Sequence, residues 1–182
     1  MVDDDPGIRH ALKRVLRREG YDFFEADGSE AALAVLSKQP IEVVLSDHRM
    51  PGMTGLELLT LVRDRFPDTI RIILTGHADL AVAIQAINQG EIYRFLTKPW
   101  DEVELKVTLF LALERQRLAA TNRRLLGLLQ QNQEALAGLV EKGPAPDPRI
   151  AEALRLTEAE LKRSLGDQST KAINTLPPGP GK

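Results

Sequence analysis

The sequence contains no cysteine, which excludes disulfides, thiolate zinc sites and cysteine nucleophiles together and fits a reducing compartment. It also lacks any apolar run near the roughly 20 residues needed to cross a bilayer. The acidic start MVDDDP is nothing like a secretory signal. A soluble, cytoplasmic protein with no membrane partner is the expectation. Bulk charge of either sign is missing too: 24 Lys and Arg against 26 Asp and Glu leave a formal charge of -2, so there is no overall attraction to nucleic acid. Arg9, Lys13 and Arg17, with Arg14 and Arg18 beside them, do form a basic stripe. It lacks interleaved aromatics, however, and no direct nucleic-acid contact is expected.

What is there, over residues 1 to about 115, is an alternation of short β-rich runs and amphipathic stretches, the pattern of a parallel sheet with helices on both faces. Val2 is nearly all of a first strand. Asp5 and Pro6 start a helix in which Ile8, Ala11, Leu12, Val15 and Leu16 keep helical spacing to about Glu19, and Gly20 stops it. A second strand is predicted at 21–26, a helix at 29–37, a third strand at 41–46 and a helix at 55–65. A strand at 70–74, a helix at 80–88 closed by Gly90 and a fifth strand at 92–97 complete five strand-helix units. The fold class is therefore α/β, with a five-stranded parallel sheet whose first strand is truncated.

Asp101 and Glu104 form an Asp-x-x-Glu helix start, yet Val103, Leu105, Val107, Leu109, Leu111 and Leu113 alternate as a strand would. The cap and the helix-forming sequence that follows decide for a helix, apolar on more than one face. From Leu111 a seven-residue ladder continues through Leu118, Leu125, Asn132 and Leu139, with Leu129 and Leu136 on the other seam and Arg115 and Asn122 interrupting it. Such a seam predicts a C-terminal coiled coil and a homodimer through it. GPAPDP at 143–148 then breaks the helix. The expected organisation is a sheet domain at 1–115, a coiled-coil helical extension at 116–142, a linker at 143–149, a short helix at 150–165 and a disordered tail at 166–182.

In a parallel α/β sheet the carboxyl ends of the strands converge on one crevice, where ligands bind. Asp3 and Asp4 follow the first strand, Asp47 ends the third, Thr75 ends the fourth and Lys98 follows the fifth. Three carboxylates brought together repel one another and call for a hard divalent cation with oxygen ligands. Mg²⁺ suits a site of this kind, because it takes few carboxylates and leaves room for a phosphoryl oxygen. Asp47 could then attack phosphorus as a carboxylate nucleophile. Lys98 would neutralise charge on the phosphoryl group, and Thr75 could donate a hydrogen bond to it.

The runs VDDDPGIR, LSDHRMPGMTGLELL, IILTGHAD and YRFLTKPWD resemble the receiver domain of two-component response regulators, in that family's order and spacing, over residues 2 to about 113. The resemblance implies a flavodoxin-like receiver in which Asp47 accepts a phosphoryl group from a sensor histidine kinase or phosphotransfer protein. It implies that Asp4 and Asp47 bind Mg²⁺ directly, that Asp3 acts mainly through water, and that the Arg49 backbone carbonyl completes the protein ligands. Thr75 and Phe95 match the switch pair, and Lys98-Pro99 matches a peptide bond that is usually cis. Arg49 and His77 match positions that flank the phosphoryl group and influence its lifetime, and the first helix matches part of the kinase docking surface. The family has a full apolar strand before the acidic pair. Here only Met1 and Val2 precede it, as in a chain cut short at its start, so a less stable domain is expected.

The function so implied is a phosphorylation-dependent signalling switch rather than an enzyme, with output through the fourth helix, the fifth strand, the last helix and the coiled coil. One alternative is an inert receiver-like coiled-coil adaptor. The other, a Mg²⁺-dependent phosphatase, would want a second acid two residues after the nucleophile, where this chain has Arg49.

Overall fold

A computed structural model describes residues 1–76, 79–142, 148–149, 152–153, 155–157, 159–160 and 163. Eight elements follow in chain order: α1 (Pro6–Leu16), α2 (Ser29–Leu36), β1 (Val43–Asp47), α3 (Gly55–Arg65), β2 (Ile70–Thr75), α4 (Leu80–Asn88), β3 (Arg94–Thr97) and α5 (Glu102–Lys142). The chain divides into two compact units, Met1–Leu118 and Ala119–Lys182. Everything bearing on the strand-end crevice lies in the first.

Local chemistry explains the helix starts. The Asp5 carboxylate accepts the Gly7 N–H at 2.7 Å, and Pro6 occupies the first helical position, where a missing N–H costs nothing. Thr54 and Glu57 form a reciprocal capping box at α3. Asp101 accepts the Glu104 N–H at 2.8 Å and starts α5 as expected. The first helix ends at Leu16 rather than Glu19, because the chain tightens into a turn, Glu19 N–H to Leu16 C=O at 3.0 Å, before Gly20 takes φ +72°.

β1, β2 and β3 pair in parallel in that order. Asp47 stands opposite Leu74 in the register, and Thr75 opposite Thr97. Both faces are covered, so successive residues enter different cores. Val44 and Ile73 face Ala32, Leu36, Leu58, Leu59, Val62, Ala83 and Ala86 from α2, α3 and α4. Leu45, Ile72, Leu74 and Leu96 face Leu12, Leu16, Leu105, Leu109 and Ala112 from α1 and α5. This is the flavodoxin-like arrangement.

The five expected strands are reduced to three, for a physical reason. Among the described residues Val2 is the sole bridge on that side of β1, pairing with Ala26 and with Ser46. Its N–H bonds Leu45 C=O at 2.9 Å and its C=O takes the Asp47 N–H at 2.8 Å. On the other flank Ala26 bonds Met1, and Asp3 bonds Ala26. Residues 21–25 touch the chain start through one hydrogen bond, from the Met1 ammonium to Phe24 C=O at 2.9 Å, but form no ladder with it, and a strand exists only by pairing. Between that segment and β1 lies a cavity of about 340 Å³ lined by Leu16, Tyr21, Phe23, Val43, Leu45 and Leu109. The remaining strands begin later than expected, at Val43 and Arg94, and β2 and β1 each run one residue further, to Thr75 and Asp47.

In α5 the strand-like alternation folds as helix. Leu105, Leu109 and Ala112 are buried, while Val103, Val107, Phe110 and Leu111 stay exposed, which is the surplus apolar face expected of it. Among the described residues no helix is long and apolar enough to cross a membrane. Of the expected linker at 143–149, residues 143–147 lie outside the described residues, as does the whole of the expected tail at 166–182.

Gly55, the first residue of α3, approaches the end of β1 so closely that a Cβ there would overlap the Asp47 carbonyl oxygen, with the Ser46 hydroxyl at 2.9 Å. Because the obstacle is backbone, it cannot swing aside. Gly55→Ala is expected to destabilise the domain by about 1–3 kcal/mol, as overpacked positions do. Urea unfolding reads the effect directly, and an unchanged midpoint would contradict the close approach.

Candidate functional site

The parallel register brings the carboxyl ends of the strands to one edge. Val2 carries Asp3 and Asp4 there, β1 ends on Asp47, β2 on Thr75, and β3 leads through Thr97 to Lys98. Carboxylate oxygens of Asp3, Asp4 and Asp47 lie within 4.8 Å of one another. Asp3 and Asp47 are buried and Asp4 is exposed, so the cluster opens to solvent on one side only.

The Lys98 ammonium stands between the two buried acids, 2.9 Å from Asp3 Oδ2 and 2.6 Å from Asp47 Oδ1. Burial works against its charge, but its hydrogen bonds to both carboxylates outweigh that cost and raise its pKa above the ordinary lysine value. Its backbone is held as well, with Lys98 N–H on Thr75 C=O at 2.8 Å and a cis Lys98–Pro99 bond behind it. Asp3 is oriented from two further directions: Oδ1 accepts the Asp5 N–H at 2.9 Å, and its carbonyl accepts Arg9 Nη1 at 2.6 Å.

One cation against three carboxylates leaves the cluster net negative, and the oxygen donors suit a small hard divalent ion such as Mg²⁺. The turn after Asp47 keeps its neighbours clear. Gly52 takes φ +79° after Pro51, and Gly55 N–H bonds His48 C=O at 2.9 Å, folding the chain back beneath the cluster.

Thr75 is fully buried, and its hydroxyl donates to Gly76 C=O at 3.3 Å. Phe95, opposite Ile73 in the register, is partly buried against the α2–α3–α4 core. His77 lies outside the described residues.

Arg49 turns toward α4. Its Nε meets Asp79 Oδ2 at 2.6 Å and its Nη2 meets Oδ1 at 2.7 Å, a bidentate pair. The hydrogen bond from Arg49 holds the Asp79 carboxyl below the usual carboxylate range, with the nearby His48 adding to it, and Asp79 in turn raises the pKa of the guanidinium. Sequence reading missed this pair. Thirty residues separate its members, and the one local signal, an Asp immediately before the apolar spacing of α4, reads as an ordinary helix cap.

Residues 1–110 match the family model of the response regulator receiver domain. The chain is 38% identical over 125 residues to the hydrogenase transcriptional regulatory protein HoxA of Cupriavidus necator, covering 69% of this chain and 26% of that protein. It is 36% identical to the C4-dicarboxylate transport transcriptional regulatory protein DctD of Rhizobium meliloti, over 86% of this chain and 33% of that one. Among solved structures it resembles the signal receiver domain of an HD domain-containing protein from Pseudomonas fluorescens, with a TM-score of 0.61 and 40% identity over 64% of this chain and 93% of the other. The chain belongs to the response regulator receiver family. It spans about a quarter to a third of the length of the two curated relatives. Receivers of this family take phosphoryl groups from histidine kinases and bind Mg²⁺ at an acidic pocket, and this chain has a cluster of carboxylates in Asp3, Asp4 and Asp47.

The geometry separates two roles that composition alone would merge. Asp4→Ala removes the solvent-facing carboxylate and is expected to weaken Mg²⁺ binding severely. Lys98→Ala removes a cation that competes for the Asp3 and Asp47 oxygens, so Mg²⁺ affinity is expected to hold or rise while phosphorylation is impaired. Mg²⁺ titration followed by NMR distinguishes them; an equal loss of affinity in both variants would contradict the assignment.

Proposed function

We propose that the protein is a phosphorylation-dependent switch in which Asp47 is the phosphoacceptor. The observation that carries the reading is the Lys98 bridge: an ammonium 2.6 Å from Asp47, at the mouth of a three-carboxylate cluster, is placed to receive the charge that arrives with a phosphoryl group. An Asp47 oxygen forms the new O–P bond as the P–N bond of a phosphohistidine breaks. The electron pair stays on the departing imidazole nitrogen, which is left neutral or takes a proton from solvent. Asp4 and Asp47, with Asp3 through water and the Arg49 backbone carbonyl, would hold Mg²⁺, which when bound offsets negative charge on the phosphoryl oxygens. The donor is a sensor histidine kinase or phosphotransfer protein, which sets the chain in the cytoplasm.

Thr75 and Phe95 are assigned the switch. The Thr75 hydroxyl, spent at 3.3 Å on a neighbouring carbonyl, has a better acceptor once Asp47 is phosphorylated. Phe95, only partly buried against the core, still has apolar surface to bury by moving inward. Output then runs through α4, β3 and α5. The relatives are transcriptional regulators by name; we assign no nucleic-acid contact to the receiver itself. Nor do we assign turnover of a phosphate ester, because Arg49 stands where a phosphatase of this kind would place its acid.

We further assign a homodimer to α5 and its heptads. Leu111, Leu118 and Leu125 on the first seam and Leu129 and Leu136 on the second are all exposed, and a leucine row at heptad spacing on one helix is covered most simply by a second copy of itself. Asn132 at a core position favours two strands in register.

Acetyl phosphate with Mg²⁺ is expected to label the protein once, at Asp47, and Asp47→Asn to abolish labelling with the fold intact. Undiminished labelling of the Asn variant, read by mass spectrometry, would sink the assignment.

For the dimer, sedimentation at tens of micromolar protein is expected to give a two-chain species that the exposed-seam variant Leu118→Glu/Leu125→Glu reduces to one chain. A monomeric wild type, with and without beryllofluoride, would rule it out.

A further inference from the structure

Among the described residues four helices begin next to a side chain able to cap them, and one of those side chains is engaged elsewhere. Asp5 caps α1, Thr54 caps α3 and Asp101 caps α5, each accepting a backbone N–H of the first turn. Asp79 immediately precedes α4 but makes no cap hydrogen bond, and its backbone, at φ −109° and ψ 11°, must open toward the extended conformation of Asp5 and Thr54 before it can cap; the first turn of α4 carries no other acid. Its two oxygens are both taken by the Arg49 guanidinium. A helix start left without its cap leaves N–H groups without intrahelical partners.

Arg49 follows Asp47 by two residues, and the Asp47 charge is near enough to act on its guanidinium. The Arg49 side chain is 71% exposed whereas that of Asp79 is 14% exposed, so the cation is the member free to turn. A phosphoryl group on Asp47 brings up to about two negative charges and three strong acceptor oxygens. Two of those oxygens can accept the guanidinium in the bidentate manner that Asp79 now does.

We propose that Asp79 is a positioning residue that holds Arg49 off the phosphorylation pocket, and that phosphorylation of Asp47 makes Arg49 exchange Asp79 for phosphoryl oxygens, releasing Asp79 to cap α4. One side chain then serves two acceptors in turn, and the carboxylate it leaves stabilises the first turn of the helix through which output is assigned. The two states differ in real contacts, so the phosphoryl group has a differential interaction with which to shift the balance. In the exchanged state Arg49 covers one side of the phosphoryl group and binds charge that disperses as the O–P bond to Asp47 breaks, so hydrolysis slows. The inference rests on Asp47 as phosphoacceptor, but its first half can be read without any phosphoryl group.

The first measurement is amide hydrogen exchange in the unphosphorylated full chain. Arg49→Ala frees Asp79 and is expected to slow exchange at Ala81 and Val82 by about fivefold, the factor a typical N-cap supplies. Arg49→Ala combined with Asp79→Ala is expected to cancel that gain. Exchange at Ala81 and Val82 that Arg49→Ala leaves unchanged or speeds would overturn the proposal, whatever happens at Asp47.

The second measurement is the phosphoryl lifetime after labelling with acetyl phosphate. Asp79→Asn removes the competing charge yet keeps a side chain able to cap, and is expected to lengthen the lifetime several-fold. Arg49→Ala is expected to shorten it, and adding Asp79→Asn to Arg49→Ala to change nothing further, since Asp79 acts through Arg49. A general structural effect of Asp79 would persist in the double variant, and that result, or a wild-type lifetime in Asp79→Asn alone, overturns the proposal. Failure of the wild type to be labelled would instead overturn the phosphoacceptor reading, leaving the exchange measurement to judge the Arg49–Asp79 pair.

Discussion

The Lys98 ammonium between Asp3 and Asp47 is the contact on which the site depends. Residues 3 and 98 lie 95 positions apart, and a cation within 3 Å of both buried carboxylates is what makes their neighbouring burial tolerable. Remove the charge and two acids would face each other in a poorly solvated crevice. With it in place the cluster is still net negative through Asp4, which is the condition for attracting a divalent ion without binding the site shut. The remaining architecture serves that contact. The β1–β2–β3 ladder sets the heights of Asp47, Thr75 and Lys98, and the close approach of Gly55 lets α3 pack against the turn beyond Asp47.

The short first strand shows how little pairing the site needs. Among the described residues Val2 alone bridges to both flanks, and the hydrogen bonds Val2 N–H to Leu45 C=O, Asp3 N–H to Ala26 C=O and Asp47 N–H to Val2 C=O suffice to present Asp3 to Lys98. What suffers is the sheet further from the site, where residues 21–25 lack a ladder and the 340 Å³ cavity lies among apolar side chains and the polar Asp22, Gln39, Glu42 and Arg117. Val2, the one bridged residue of the chain start among the described residues, is thus the one that immediately precedes the acids.

Two surfaces lead away from the crevice. One is the start of α4, joined to the turn after Asp47 by the Arg49–Asp79 pair. The other is α5, which buries Leu105, Leu109 and Ala112 against the sheet and exposes Val103, Val107, Phe110 and Leu111. The first lies on the side of the sheet packed by α2 and α3, the second on the side packed by α1. A change of charge at Asp47 therefore has a polar route on one face, while the exposed apolar residues of α5 offer a surface on the other.

Much of this was legible in the sequence, because it rests on short-range rules. α3 and α4 occupy their expected residues, since Thr54-x-x-Glu57 and the spacing of Leu80, Ala83 and Ala86 are local signals. The convergence of Asp3, Asp4, Asp47, Thr75 and Lys98 was also readable, because strand ends of a parallel sheet share an edge. The sequence by itself determined the alternation of elements, the helical reading of α5 despite its strand-like spacing, and the chemical types gathered at the crevice. Tertiary structure alone decided that the second strand has no ladder, that Lys98 sits between two of the acids, and that Asp79 binds Arg49 instead of capping its own helix. Each depends on what another part of the chain brings within about 3 Å, the reach of a hydrogen bond, and no local pattern of residues encodes which distant donor will arrive first.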